Sequence, residues 1–155
     1  MTRGEKAEAF FREGYGCAQS VVLAFTDETG LPKETLASLA SPFGGGLGRM
    51  REVCGAVSGA AAVLGLLRGS PSPDRAERAR VYAETREFAD RFKEKHGSVV
   101  CREIMAGVKT SGGPFPAERN EEFYRSRPCL SCVRDAADIL EKLLSEKENE
   151  NEKID

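Results

Sequence analysis

Five cysteines and a single histidine stand in a chain of 155 residues, and each cysteine follows a break in the chain. Cys17 follows Gly14-Tyr15-Gly16, and Cys54 comes shortly after Phe43-Gly44-Gly45-Gly46-Leu47-Gly48. Cys101 follows His96-Gly97-Ser98, and Cys129 and Cys132 follow Pro128. Each position predicts the first turn or so of a helix. A helix N-terminus stabilises negative charge and can lower a thiol's pKa, so the pattern points to thiolate chemistry rather than inert packing.

Cys129-Leu130-Ser131-Cys132 is a C-x-x-C at a helix start, where one thiolate is stabilised and a second can resolve a mixed disulfide. A self-contained zinc knuckle fits less well, because no second pair and no histidine pair accompanies it. At 100° per residue, Cys129 falls in the middle of the stripe formed by Val133, Ala136 and Leu140, and Cys132 falls at its edge near Ile139. Cys129 is therefore expected to face inward and Cys132 to be the more accessible or dispensable partner. Cys54 shares a face with Val57, Ala61 and Gly65 and is expected to point inward too. One inward cysteine is usually a small hydrophobe, but four on separate helix starts argue for more. If those starts converge, their dipoles create an electropositive pocket for thiolates, free or bound to a soft metal.

The remaining polar groups say less. His96 is expected at the C-terminus of a long helix, where a protonated ring suits the dipole, and no particular thiol is placed beside it. Arg49, Arg51, Arg102 and Arg127 flank cysteines and could lower thiol pKa values. The glycine loop lacks the Gly-Lys-Ser/Thr ending of a P-loop and follows no strand, which makes it a weak phosphate site. Gly55 and Gly59 give a small-x-x-x-small spacing, which lets another helix approach closely.

Composition narrows the class. With 23 basic and 25 acidic residues the formal net charge is -2, and no electrostatic footprint for nucleic acid results. The start, Met1-Thr2-Arg3-Gly4-Glu5-Lys6, has no apolar h-region, so a cytoplasmic, reducing setting is expected. There, thiols serve catalysis, sensing or metal binding rather than stable cross-links. The apolar stretch Val53 to Leu67 is shorter than the roughly 20 residues a membrane span needs, and reads as a buried helix.

Helical spacing recurs nearly everywhere and strict alternation nowhere, which predicts an all-α, single-domain bundle of about five to seven helices. Helices are expected over Arg3 to Glu13, Tyr15 to Glu28, Pro32 to Ala40, and Val53 to Leu67 after the glycine-rich loop. A long one follows Ser70-Pro71-Ser72-Pro73-Asp74 and reaches Lys95, and a short one, N-capped by Ser98, ends at Ala106. Gly107 to Arg127 reads as a long irregular connection. The last helix spans about Pro128 to Lys147. The domain is expected over residues 1–144, with 145–155 a solvated, frayed tail.

Cys54-Gly55-Ala56-Val57-Ser58-Gly59 resembles the Cys-Gly-Ala-x-x-Gly signature of the C_GCAxxG_C_C family, small prokaryotic proteins described as redox-active. Tyr15-Gly16-Cys17-Ala18-Gln19-Ser20-Val21 resembles the family's first cysteine segment, and Phe43-Gly44-Gly45-Gly46-Leu47-Gly48 its glycine loop. Gly97-Ser98 through Cys101-Arg102-Glu103, and Cys129 through Val133-Arg134-Asp135-Ala136-Ala137, resemble the last two cysteine blocks. The resemblance runs from about residue 6 to 144 and implies Cys17, Cys54, Cys101 and Cys129 as the functional set. Cys132 departs from the pattern, which has one cysteine in the last block.

Two chemistries fit these thiols. The preferred one is thiol/disulfide exchange, as in a thiol-disulfide oxidoreductase, with Cys17, Cys54, Cys101, Cys129 and Cys132 as candidates. The other is a soft metal ion or iron-sulfur cluster held by Cys17, Cys54, Cys101 and Cys129. In the second case the chain is a sensor or accessory module for a redox or transport-associated protein partner. The resemblance permits this, since family members are often encoded beside transporters.

Overall fold

The computed structural model describes residues 1–154, and Asp155 lies outside them. Among the described residues the chain is all-α. Its helices are α1 Arg3–Arg12, α2 Cys17–Leu23, α3 Thr26–Thr29, α4 Lys33–Ala40, α5 Gly55–Arg68, α6 Arg75–His96, α7 Cys101–Ile104, α8 Glu121–Ser126 and α9 Cys129–Ile154, with a 3-10 turn at Ser41–Phe43. The only extended pairing among these residues is one antiparallel bridge, Val53 to Val100.

Local chemistry explains most boundaries. Thr2 Oγ1 accepts from the Glu5 amide at 3.0 Å and starts α1 with a capping box. Asp74 accepts from the Glu77 amide at 3.1 Å to start α6, and Gly97, in the left-handed conformation at φ 79°, ends it. Ser98 accepts from Val100 N at 3.0 Å, but this closes a local turn and is not the expected N-cap: Val100 holds the N-cap place of α7, without a side-chain cap.

The count exceeds the expected five to seven because α3 and α8 are additional. The expected helix Tyr15 to Glu28 breaks at Phe25, whose backbone turns to φ -110° and ψ 23° as its ring enters the core. In the connection expected to be irregular, Asn120 accepts from Phe123 N at 2.9 Å and Glu121 and Glu122 occupy the first turn, so α8 forms. The chain expected to fray from residue 145 instead continues α9 to Ile154. Its first extra turn is tied to α6 by Glu146–Arg91 at 2.6 Å and Lys147–Glu87 at 3.0 Å.

α2 is the hub. Ala18, Ser20, Val21, Val22 and Leu23 are all buried, enclosed by α1, α4, α5 and α9. Gly59 of α5 rests on the α2 backbone so closely that a Cβ there would lie 2.7 Å from the Ala18 carbonyl oxygen. The small-x-x-x-small spacing thus performs the close approach expected of it. Phe88 and Phe92 of α6 and Val133, Ala136, Leu140 and Leu143 of α9 complete the core. No helix among the described residues is long and apolar enough to cross a membrane.

Candidate functional site

The helix starts converge on one cavity of about 410 Å³. Its wall includes Cys17, Cys54, Cys101, Cys129 and Cys132, which come from α2, the start of α5, α7 and α9. All five are free thiols.

Each is set by its own local device. At the α2 start, Gln19 Oε1 accepts from Gly16 N at 2.8 Å while its amide donates to the Ala37 carbonyl at 3.0 Å, which locks the turn that aims Cys17. Gly55 makes room for that thiol, since a Cβ at residue 55 would fall on Cys17 Sγ. Cys54 and Cys101 are held by paired backbones, with Cys54 N donating to Val99 O at 2.8 Å and Cys101 N to Glu52 O at 2.6 Å. Gly46, at φ 72°, leaves the space that Cys101 fills, as a Cβ there would lie 2.7 Å from the Cys101 Cβ.

On α9 the accessibility expected from helical phase is reversed. Cys132 is 2 % exposed and belongs to the core, whereas Cys129 is half-buried. Phase counts the flank of a helix, but Cys129 is the terminal residue and looks out over the helix end into the cavity. The true buried stripe runs Cys132, Val133, Ala136, Ala137, Leu140, Leu143.

Burial also reverses the expected acidity. Burial raises the Cys17 thiol to about 11, helped by neighbouring Cys54, and the amides of Gly45 and Ala18 offset only part of this. Burial and then the nearby Cys17 and Cys54 push Cys129 up to about 12 against the pull of Arg127. Cys54 is raised well above the usual thiol value, first by the neighbouring Cys132 thiol and then by burial. The helix-start amides act in the expected direction, but removal from water and mutual repulsion among thiolates outweigh them.

Cys132 has a second partner. Its Sγ lies 3.6 Å from His96 Nδ1, and His96 Nε2 lies 2.8 Å from Asp135 Oδ2. The ring is fixed by packing on Phe92, with centroids 4.6 Å apart. Neither the contact with a thiol nor the role of Asp135 is visible from composition. The available signal is the i, i+3 spacing of Cys132 and Asp135, which puts both on the side of α9 that meets the C-terminus of α6.

Four arginines, Arg49, Arg51, Arg119 and Arg127, also line the cavity. Arg51 Nη1 donates to Cys101 Sγ at 3.8 Å. Arg49 ties the cavity to the loop that follows α7 by donating to the carbonyls of Gly113 at 2.8 Å and Ser111 at 3.1 Å. Arg119, which the sequence does not single out, donates to Phe11 O at 2.8 Å and Tyr15 O at 3.0 Å. Arg102, expected beside a cysteine, instead pairs with Glu52 at 2.6 Å, outside the cavity wall.

The thiols of the metal reading face one space, yet among the described residues no group of three or more His, Cys, Asp or Glu side chains is arranged to hold a metal ion.

The order of cysteine blocks around this cavity is that of a known family. A model described as "Putative redox-active protein (C_GCAxxG_C_C)" matches residues 15–143. The chain belongs to the C_GCAxxG_C_C family. The matched region begins just before Cys17 and closes within α9, so it takes in every cysteine and both members of the His96–Asp135 pair. Comparison with curated proteins and with solved structures gives no match.

Proposed function

We propose that this C_GCAxxG_C_C protein is a thiol-disulfide oxidoreductase whose exchanging pair is Cys54 and Cys132. The observation that carries the reading is the position of the Cys132 thiol, between the Cys54 thiol and an imidazole anchored by a carboxylate. With Nε2–H donated to Asp135, His96 presents the Nδ1 lone pair to Cys132 and serves as its base.

The reaction balances as follows. The Cys132 proton passes to His96 Nδ1, and the thiolate attacks one sulfur of a substrate disulfide, forming a mixed disulfide; the substrate thiolate expelled takes the proton back from His96 and leaves as the first thiol. Cys54 Sγ then attacks Cys132 Sγ, and its proton goes to the second substrate sulfur, which leaves as the second thiol. Two protein thiols become one disulfide and the substrate disulfide becomes two thiols. Cys17 and Cys129 stay protonated at the wall through which the substrate arrives, and Cys101 sits against Arg51.

The test is to oxidise the reduced chain with a small disulfide and map the cross-link by mass spectrometry under non-reducing conditions. A Cys54–Cys132 bond is expected. Five thiols still free, or a bond that leaves out both residues, would reject the proposal.

A further inference from the structure

The cavity wall carries four guanidiniums and neither Asp nor Glu. Among the described residues, none of Arg49, Arg51, Arg119 and Arg127 pairs with a carboxylate, although most other arginines of the chain do. Arg49 and Arg119 spend their donors on backbone carbonyls and brace the wall. Arg51 and Arg127 do not. Arg51 Nη2 is buried without any hydrogen-bond partner, an uncommon state for a group whose desolvation is costly. Arg127 stacks on Phe123 at 4.5 Å, and burial together with the charges of Arg51, Arg49 and Arg119 makes it easier to deprotonate.

The chain also accepts unfavourable backbone to hold this charge. Arg49 and Arg51 sit at φ 63° and 62°, the left-handed region that residues with a Cβ avoid. Several amides of the glycine segment are taken up within it, since Arg49 N, Arg51 N and Glu52 N donate to the carbonyls of Gly44, Gly45 and Gly46, while the Gly45 amide faces the Cys17 sulfur. The formal positive charge in the cavity wall is that of the four guanidiniums.

We infer that the ligand of the cysteine cavity is a small organic anion. Its charged group is bound by Arg51 and Arg127, and its body rests against Phe123, Met105 and Ile104 beside the thiols. Guanidinium forks suit carboxylates and related oxyanions, and the cavity volume suits an organic molecule rather than a bare inorganic ion. The identity of the reacting group rests on the thiol-disulfide reading above. Under it, the substrate is a low-molecular-weight disulfide bearing carboxylates, which is reduced to two thiols as Cys54 and Cys132 are oxidised.

Two measurements on the reduced full-length chain separate the claims. In the first, oxidation rates with dithiodipropionate (anionic), bis(hydroxyethyl) disulfide (neutral) and cystamine (cationic) are each normalised to the rate with a free small thiol. The anionic disulfide is expected to lead the neutral one by about tenfold at low salt, with cystamine slowest and the preference shrinking as salt is added. Arg127→Gln and Arg51→Gln are each expected to cut the anionic-to-neutral ratio at least severalfold, while Arg125→Gln, outside the cavity, leaves it unchanged. In the second, calorimetry measures binding of thiodipropionate, a dianionic thioether that cannot exchange, and saturable binding lost in Arg127→Gln is expected. Equal normalised rates without thiodipropionate binding overturn the anion site and leave the exchange reading standing. Thiodipropionate binding without reaction of any disulfide supports the anion site and overturns the exchange reading.

Discussion

His96 Nδ1 lies 3.6 Å from Cys132 Sγ although the two residues are 36 positions apart in the chain, one ending α6 and the other in the first turns of α9. His96→Gln is therefore expected to slow disulfide exchange about a hundredfold near neutral pH, the usual worth of a positioned base. The deficit should shrink as pH rises and hydroxide replaces the imidazole. Asp135→Asn, which weakens control of the tautomer, should slow it less. Stopped-flow oxidation kinetics, with circular dichroism to confirm folding, checks this, and wild-type rates in both variants would remove the relay.

The raised thiols give the chain an alkaline weakness. Free Cys17 and Cys129 thiols ionise near 9.0, whereas the folded chain holds them to about 11 and about 12. Between those values the unfolded chain has lost protons that the folded one keeps, so stability is complete below pH 9 and falls as pH rises. Urea midpoints should drop across this window, and Cys17→Ser with Cys129→Ser should flatten the drop. Near neutral pH Cys17 should react with iodoacetamide about a hundredfold, and Cys129 about a thousandfold, more slowly than a free thiol.

Gly55 is the steric partner of Cys17. Gly55→Ala would put a methyl group on the Cys17 sulfur and within 2.8 Å of the Phe43 carbonyl oxygen. A destabilisation of about 2 kcal/mol is expected, within the range for overpacking. A Gly55→Ala/Cys17→Ala double variant should recover part of it. Strict additivity in a double-mutant cycle would contradict the packing account.

Outside the cavity, Glu84 is 6 % exposed and bound by Arg68 and by Arg80, the latter at 3.0 Å. Burial opposes its ionisation, yet the two guanidiniums prevail and hold the carboxyl below its usual value of 4.5. Its contribution is therefore present above pH 4.5 and lost as pH falls through the lowered value. Arg68→Met should cost about 3 kcal/mol in chemical denaturation at neutral pH by leaving the buried carboxylate half-paired. A loss close to zero would mean that Arg80 alone suffices.

Much of the fold is legible along the chain because local chemistry repeats. Pro, Gly and side-chain caps mark the ends of α1 and α6, and the apolar stripe of α6 places Phe88 and Phe92 in the core. The break at Phe25 is not legible, since only the core that receives the ring selects that backbone. Nor is the continuation of α9, because Glu146 and Lys147 look like solvated charges until α6 supplies Arg91 and Glu87. Among candidate site residues, Cys17, Cys54, Cys101 and Cys129 stand out by their breaks and blocks, whereas Cys132 looks like an extra until its place between Cys54 and His96 is known.

By itself the sequence determined an all-α chain, a set of cysteines at helix starts and a glycine spacing that lets α5 lie on α2. All of these depend on residues near one another in sequence, through capping, periodicity and side-chain size. Tertiary structure alone decided the sign of the thiol acidities, the burial of Cys132, its pairing with His96 and the gathering of four arginines without a carboxylate. Those depend on desolvation and on charges brought within a few ångströms by distant segments, and such energies exist only once the chain has closed around them.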